Sequence, residues 1–189
     1  VNPSLAKGAA IVIRLAMMLE EERPDITFEV VQSRGNWEAL VRQVTKQFGE
    51  QRSTLSNVVL TPNTPDMRPI YARAKVLLAL SLWWESYGRV VTEAGMNGVP
   101  QIVSKHGGLP EAAGEQMPKH VWPRQLLKPP YMRIPADNDI RNVIGHILKY
   151  HDDEQLYSRH SKYAKKTAAL HSLKISTSRL IRKLSEINL

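Results

Sequence analysis

From Val1 to about Val103, short apolar runs rich in β-branched residues alternate with longer segments whose apolar positions recur at helical spacing, the pattern of successive βαβ units. Strands are predicted at Thr27 to Val31, Val58 to Leu60, Val76 to Leu80 and Gln101 to Val103, with Val1 read as the stump of an earlier one. Helices are predicted between them at Ala9 to Glu22, Trp37 to Phe48, Met67 to Ala74 and Arg89 to Asn97. Ser33 to Asn36 and Thr61 to Pro65 carry the Gly, Pro and Asn of turns, and Asp66 is placed to cap the next helix. After Gly114 the alternation stops. Five prolines between Met117 and Pro135 predict a surface crossing. Beyond it the chain reads as helical: Asp137 or Asp139 caps a helix through Tyr150, and Asp152 or Asp153 caps the next. In a last helix near Ser176 to Ile187, the spacing of Leu180, Ile181, Leu184 and Ile187 gives one apolar stripe. That stripe calls for a partner, in this domain or in a second one.

This pattern predicts an α/β fold of one domain, a Rossmann-like parallel sheet with helices on both faces and extra helices at the end. Its 189 residues, 42% of them hydrophobic, are enough for one sizeable core. Even Val76 to Trp84 is far shorter than the roughly 20 apolar residues that span a bilayer, so the expectation is a soluble, cytoplasmic protein. The chain has no cysteine, which excludes disulfides and thiolate chemistry. The formal charge of +8 is concentrated late, from Arg159 through Lys183. A solvated helix face accounts for such a surplus, and peripheral contact with anionic lipid is the alternative. No aromatic residues interleave with these cations, which argues against nucleic acid as a partner.

In an open parallel sheet the loops leaving the carboxyl ends of the strands share one edge, and ligands bind there. The chemistry-bearing residues fall in those loops: Lys7-Gly8, Ser33 to Gly35, Thr61 to Thr64, Glu85 to Gly88, and Lys105 to Gly108. In the fourth loop a glycine turn enters a helix that carries a carboxylate, Glu93, in its second turn. Free amides at such a helix start bind anions, which suits a diphosphate. Glu93 is placed to accept from ribose hydroxyls, and Glu85 to hold a sugar hydroxyl at the mouth. On spacing alone, both glutamates could equally be helix-start electrostatics. The six histidines show no zinc-protease spacing and no accompanying carboxylate cluster, so no metal site is expected. His106 reads as a simple loop histidine.

Glu85 and Glu93 around Ser86-Tyr87-Gly88 resemble the paired-glutamate signature of the retaining GT-B glycosyltransferases of family four, also called group 1. The resemblance extends to Asn2 through Gly8, Ile70 through Ala74, Gly98-Val99-Pro100, and Gly107 through Glu111, in the family's order. It covers Val1 to Glu115 and implies the carboxyl-terminal, donor-binding domain of a two-domain enzyme, whose amino-terminal acceptor domain is absent from this sequence. It implies that Lys7 lies against the donor phosphates, that the amides of Gly88, Arg89 and Val90 hold the distal phosphate, and that Glu93 binds ribose. Glu85 would touch the donor sugar, Gly107 and Gly108 would let the chain approach it, and Thr61, Pro62 and Asn63 would border the base. The catalytic assignments are Glu85 and Lys7. The expected substrate is a nucleoside-diphosphate sugar, with no cofactor and no metal. The acceptor would be a glycan, a lipid or a small molecule. Relatives carry an arginine shortly before the lysine. Val1 to Ala6 has none, and Arg34 or Lys105 are the candidates to replace it. Two other functions fit the same fold: a non-catalytic interaction module, and a sugar-nucleotide epimerase for which no additional acid or base residue stands out.

Overall fold

A computed structural model describes residues 3–33 and 35–187. Val1, with its predicted strand stump, Asn2 and Arg34 lie outside the described residues. The elements are α1 (Ala9–Glu22), β1 (Phe28–Val31), α2 (Trp37–Thr45), β2 (Val58–Thr61), α3 (Arg68–Arg73), β3 (Leu77–Ala79) and α4 (Arg89–Met96). They continue through β4 (Gln101–Ser104), α5 (Leu109–Ala113), β5 (Lys119–His120), α6 (Asp137–Asp152), α7 (Glu154–Ala169) and α8 (Leu173–Ile187).

All strand pairs are parallel, so each connection crosses over through a helix. The faces alternate as parallel strands require. Leu77 and Ala79 of β3 pack with α4 and α5, whereas Leu78 packs toward α1 and α6. In β4, Val103 and Ile102 divide in the same way. The apolar core is thereby split into two clusters, one on each face of the strands. The fold is α/β, with parallel sheets flanked by helices.

The strands form two sheets, β1-β2 and β3-β4-β5, rather than one continuous sheet. Among the described residues, β1 pairs only with β2, and β3 pairs within the sheet only with β4. Between them lies a cavity of about 390 Å³, lined by Phe28, Val30, Leu77 and Leu78 among others and reaching Lys7 and Val90 at the carboxyl edge. One further parallel strand in that slot would join the halves into a doubly wound sheet.

Capping explains several boundaries. Asn36 Oδ1 accepts from Ala39 N–H at 3.0 Å, and Asp153 Oδ1 accepts from Leu156 N–H at 2.8 Å. Asp66 Oδ1 accepts from Arg68 N–H at 3.0 Å, but the cap position of α3 is Met67, one residue after the predicted one. At α6, however, the cap position is Ala136, and Asp137 and Asp139 lie inside the first turn, where they favour the helix dipole. The proline-rich crossing is also more than surface: it supplies β5 and buries Met117, Trp122 and Leu126 in the core. Helix α5, which the periodicity does not single out, is a single short turn opened by Leu109-Pro110. The stripe of α8 is left bare, with Leu180, Ile181, Leu184 and Ile187 all exposed.

Four histidines give the fold a pH dependence. Burial pushes His120, His146, His151 and His160 below the ordinary imidazole value. Asp139 opposes this at His120, while neighbouring cations reinforce it at the other three. In the folded state these rings bind protons less readily than in the unfolded chain. Their contribution to stability is therefore complete above about pH 6.5 and is lost progressively as the pH falls from there through their lower folded values. The urea midpoint is expected to be lower at pH 5.5 than at pH 7.5. A midpoint that held or rose on acidification would contradict this.

Candidate functional site

Parallel pairing places the loops after β1 and β2 on one edge of their sheet and those after β3 and β4 on one edge of theirs, and the structure knits three polar segments together at the second. The turn at Leu5 to Lys7 ends on Gly8, whose φ of 84° is in the left-handed region and which also begins α1. The Ala6 carbonyl just before it accepts from Leu82 N–H (2.9 Å), Trp83 N–H (3.0 Å) and the Ser81 hydroxyl (3.1 Å). These three bonds fasten the loop after β3 to the Lys7 turn. They bring the Lys7 ammonium onto the Glu85 carboxylate in an ion pair, with the two side chains 32% and 19% exposed.

The loop after β4 closes on the same segment. Gly108 N–H donates to the Glu85 carbonyl at 2.7 Å, and Gly107, at φ 60°, lies so close that an added Cβ would come within 2.7 Å of Glu85 N. Lys7, Glu85, Gly107 and Gly108, which span about a hundred positions of sequence, therefore meet at one point.

Beside them α4 begins at Gly88. Val91 N–H is the first amide to turn back, onto the Gly88 carbonyl at 2.9 Å, which leaves the Arg89 and Val90 amides at the open helix end. The Tyr87 hydroxyl meets Thr92 Oγ1 at 2.8 Å and steadies the entering turn. Open amides and a helix dipole are groups that can attract an anion, and the Lys7 ammonium nearby in the site is engaged by Glu85.

Glu93 lies on the exposed side of α4 and accepts from the Tyr71 hydroxyl at 3.2 Å. Burial, and then the Glu93 carboxylate, push the Tyr71 phenol well above its usual value, so it remains a donor. Tyr71 falls in the segment Ile70 to Ala74 that the sequence marks as a motif, but its role as the partner of Glu93 is visible only in three dimensions. Thr61 donates to Glu29 Oε1 at 2.5 Å, and Glu29 also pairs with Arg73. Pro62 and Asn63 are exposed at the loop tip. Thr61, Tyr71, Val90 and Lys7 line the cavity between the two sheets, whereas Pro62, Asn63, Glu85, Gly88, Arg89, Glu93, Gly107 and Gly108 are not part of its lining. His106 lies in the loop after β4, as read from the sequence, and its ring meets Trp84 edge to face, centroids 4.7 Å apart. Among the described residues no cluster of three or more His, Cys, Asp or Glu could hold a metal ion. No helix there is long and apolar enough to cross a membrane.

Parallel sheets flanked by helices, with the polar loops at the carboxyl ends of the strands, define the Rossmann-like α/β class. The family within it follows from the sequence itself: residues 4–167 match the model of glycosyl transferases group 1, and the chain belongs to that family. Solved structures agree on the fold. A glycosyltransferase from Rickettsia africae ESF-5 superposes with a TM-score of 0.73 at 15% identity, over 99% of this chain and 46% of its own. Anabaena Alr3699/HepE in complex with UDP gives 0.70 at 20% identity, over 98% of this chain and 47% of its own. The pneumococcal O-GlcNAc transferase GtfA in complex with UDP and GlcNAc gives 0.67 at 16% identity, over 98% and 34%. The chain thus spans less than half the length of each. No curated protein sequence matches it.

Proposed function

We propose that this chain is the donor-binding part of a retaining glycosyltransferase, which takes a hexosyl or related group from a nucleoside-diphosphate sugar to an acceptor held by a second domain. The observation that carries the reading is the convergence of the Lys7–Glu85 pair with the open amides of α4. Breaking the bond between sugar and diphosphate develops negative charge on the departing phosphate. Preorganised amides and an ammonium stabilise that charge without reorganising, which is where an enzyme gains most over water. On this reading Lys7 and the Arg89 and Val90 amides would take this role, and the reading needs no metal ion. Glu85 would hold the donor sugar beside Gly107 and Gly108, and Glu93, steadied by Tyr71, would accept from ribose hydroxyls. UDP in complexes of similarly folded proteins supports a nucleotide donor. Retention of configuration rests on the family signature at Glu85 and Glu93.

Titration calorimetry with UDP, GDP, ADP and their glucose conjugates tests the reading. One base is expected to bind, and Glu93→Ala is expected to weaken it by about tenfold, the loss of a charged hydrogen-bond acceptor. A folded wild-type chain that bound none of them would sink the proposal.

A further inference from the structure

The segment between β5 and α6 leaves the carboxyl end of β5, because β5 runs parallel to β4. It is anchored from inside. Trp122 and Leu126 are buried at 4% and 2% exposure, and the Trp122 indole donates to Ser104 Oγ at 2.7 Å. The chain then folds into tight turns: Leu126 N–H donates to the Pro123 carbonyl at 2.9 Å, Leu127 N–H to that of Arg124 at 3.2 Å, and Tyr131 N–H to that of Lys128 at 3.1 Å. Tyr131 has a φ of 60°, which no other non-glycine residue shares among the described residues. A left-handed backbone is costly for a residue with a Cβ. It persists only where the surrounding structure imposes it, and such residues cluster at ligand sites.

The turned segment borders a cavity of about 480 Å³, with Arg124, Lys128 and Arg133 in its walls beside Gln125 and Tyr131. Elsewhere guanidinium groups are matched: Arg14, Arg23, Arg52, Arg73 and Arg141 each hold a carboxylate. Among the described residues Arg124, Lys128 and Arg133 form no ion pair, and no carboxylate lines the cavity. The two carboxylates that follow in the chain are engaged away from it, Asp137 by Arg14 at 3.1 Å and Asp139 beside His120 at 3.7 Å. Three like charges around one concavity repel one another, and an anion between them relieves the repulsion.

We infer that this cavity is a site for a phosphate group, carried by a free phosphorylated metabolite or by a lipid headgroup. A guanidinium presents paired N–H donors that match two phosphate oxygens, an ammonium adds a point charge, and Gln125 and Tyr131 offer neutral donors. The tight turns hold these groups in place before the ligand arrives, which lowers the cost of binding. The cavity shares no residue with the donor edge at Lys7, Glu85 and α4, so the inference goes beyond the donor reading and does not depend on it.

NMR of the arginine Nε–H groups tests the site, with inorganic phosphate and glycerol 3-phosphate as probes. The Arg124 and Arg133 signals are expected to shift together and saturate. Arg124→Gln combined with Lys128→Gln, read at Arg133, is expected to weaken binding by about tenfold or more. All three side chains are exposed, so a thermal melt that coincides with wild type is expected and shows that the loss is not unfolding. Arg159→Gln combined with Lys162→Gln on α7 removes the same charge and is expected to change binding by less than about twofold. Equal losses in the two double variants, shifts that never saturate, or no shift of either arginine overturns the site. A phosphate that moves the Arg89 and Val90 amides alone lies at the donor edge and overturns it as well. Sedimentation with phosphatidylcholine vesicles, with and without phosphatidic acid, separates the two sources. Vesicle binding that requires phosphatidic acid and is lost in the Arg124 and Lys128 double variant supports the headgroup, whereas saturation by glycerol 3-phosphate without vesicle binding supports the free metabolite.

Discussion

Gly8→Ala is expected to destabilise the protein by more than about 3 kcal/mol, although it adds one methyl group. The left-handed backbone at φ 84° alone costs an L-residue roughly 1–2 kcal/mol. The larger part is steric. The new Cβ would overlap the Leu80 carbonyl oxygen and lie 2.9 Å from its carbon, and neither is a flexible side-chain end that can move aside. Relief requires the Lys7 turn to lift away from the loop after β3, which breaks the three hydrogen bonds to the Ala6 carbonyl and parts Lys7 from Glu85. For a domain whose total stability is about 5–15 kcal/mol, that is a large fraction. Gly145→Ala is the control, since a Cβ there meets nothing within 4 Å and the position is inside α6. It is expected to stabilise by up to about 1 kcal/mol through helix propensity. Urea midpoints of both variants check this. Equal shifts would mean that the close approach at Gly8 carries no strain.

Why was so much of this edge visible in the sequence? The helices α1 and α4 and the strands β1 to β4 follow from periodicity, because each buries one face or a continuous run and the chain must show it. Glu85 and Gly107 follow from topology, because loops after neighbouring parallel strands reach the same edge, whereas Lys7 follows no strand among the described residues and is associated with them through the family resemblance. What stayed hidden depends on contacts between distant residues or on backbone atoms. The Ala6 carbonyl has no side-chain signature, yet it fastens two loops. Tyr71 looks like one more apolar position of α3 until its hydroxyl is found on Glu93. The proline-rich segment reads as an exposed crossing because proline breaks regular structure, but a short strand and three buried side chains tie it to the core. The division into two sheets was also unreadable. Each strand carries a correct local pattern, and nothing in that pattern reports whether a neighbouring edge is occupied.

Lys7→Ala and Glu85→Gln are expected to move UDP affinity in opposite directions. The Lys7 ammonium is engaged by Glu85, so on the proposed reading a diphosphate would compete with that carboxylate and bring its own charge close to it. Lys7→Ala removes the charged donor. A hydrogen bond to a charged group is worth about 1.5–3 kcal/mol, so UDP binding should weaken by roughly 10- to 100-fold. Glu85→Gln keeps the shape and a polar tip but removes the competitor, so UDP should bind several-fold tighter. With the nucleotide sugar the sign at Glu85 is expected to reverse, since on the proposed reading the carboxylate would accept from a sugar hydroxyl and its loss would weaken binding. Raising the salt concentration should narrow the gap between wild type and Lys7→Ala, because both partners are partly exposed and screened. Calorimetry of UDP and UDP-glucose against the three proteins reads all of this. If Glu85→Gln weakened UDP as much as Lys7→Ala, Glu85 would be supporting the phosphate site rather than competing for it, and the donor sugar would have to be held elsewhere.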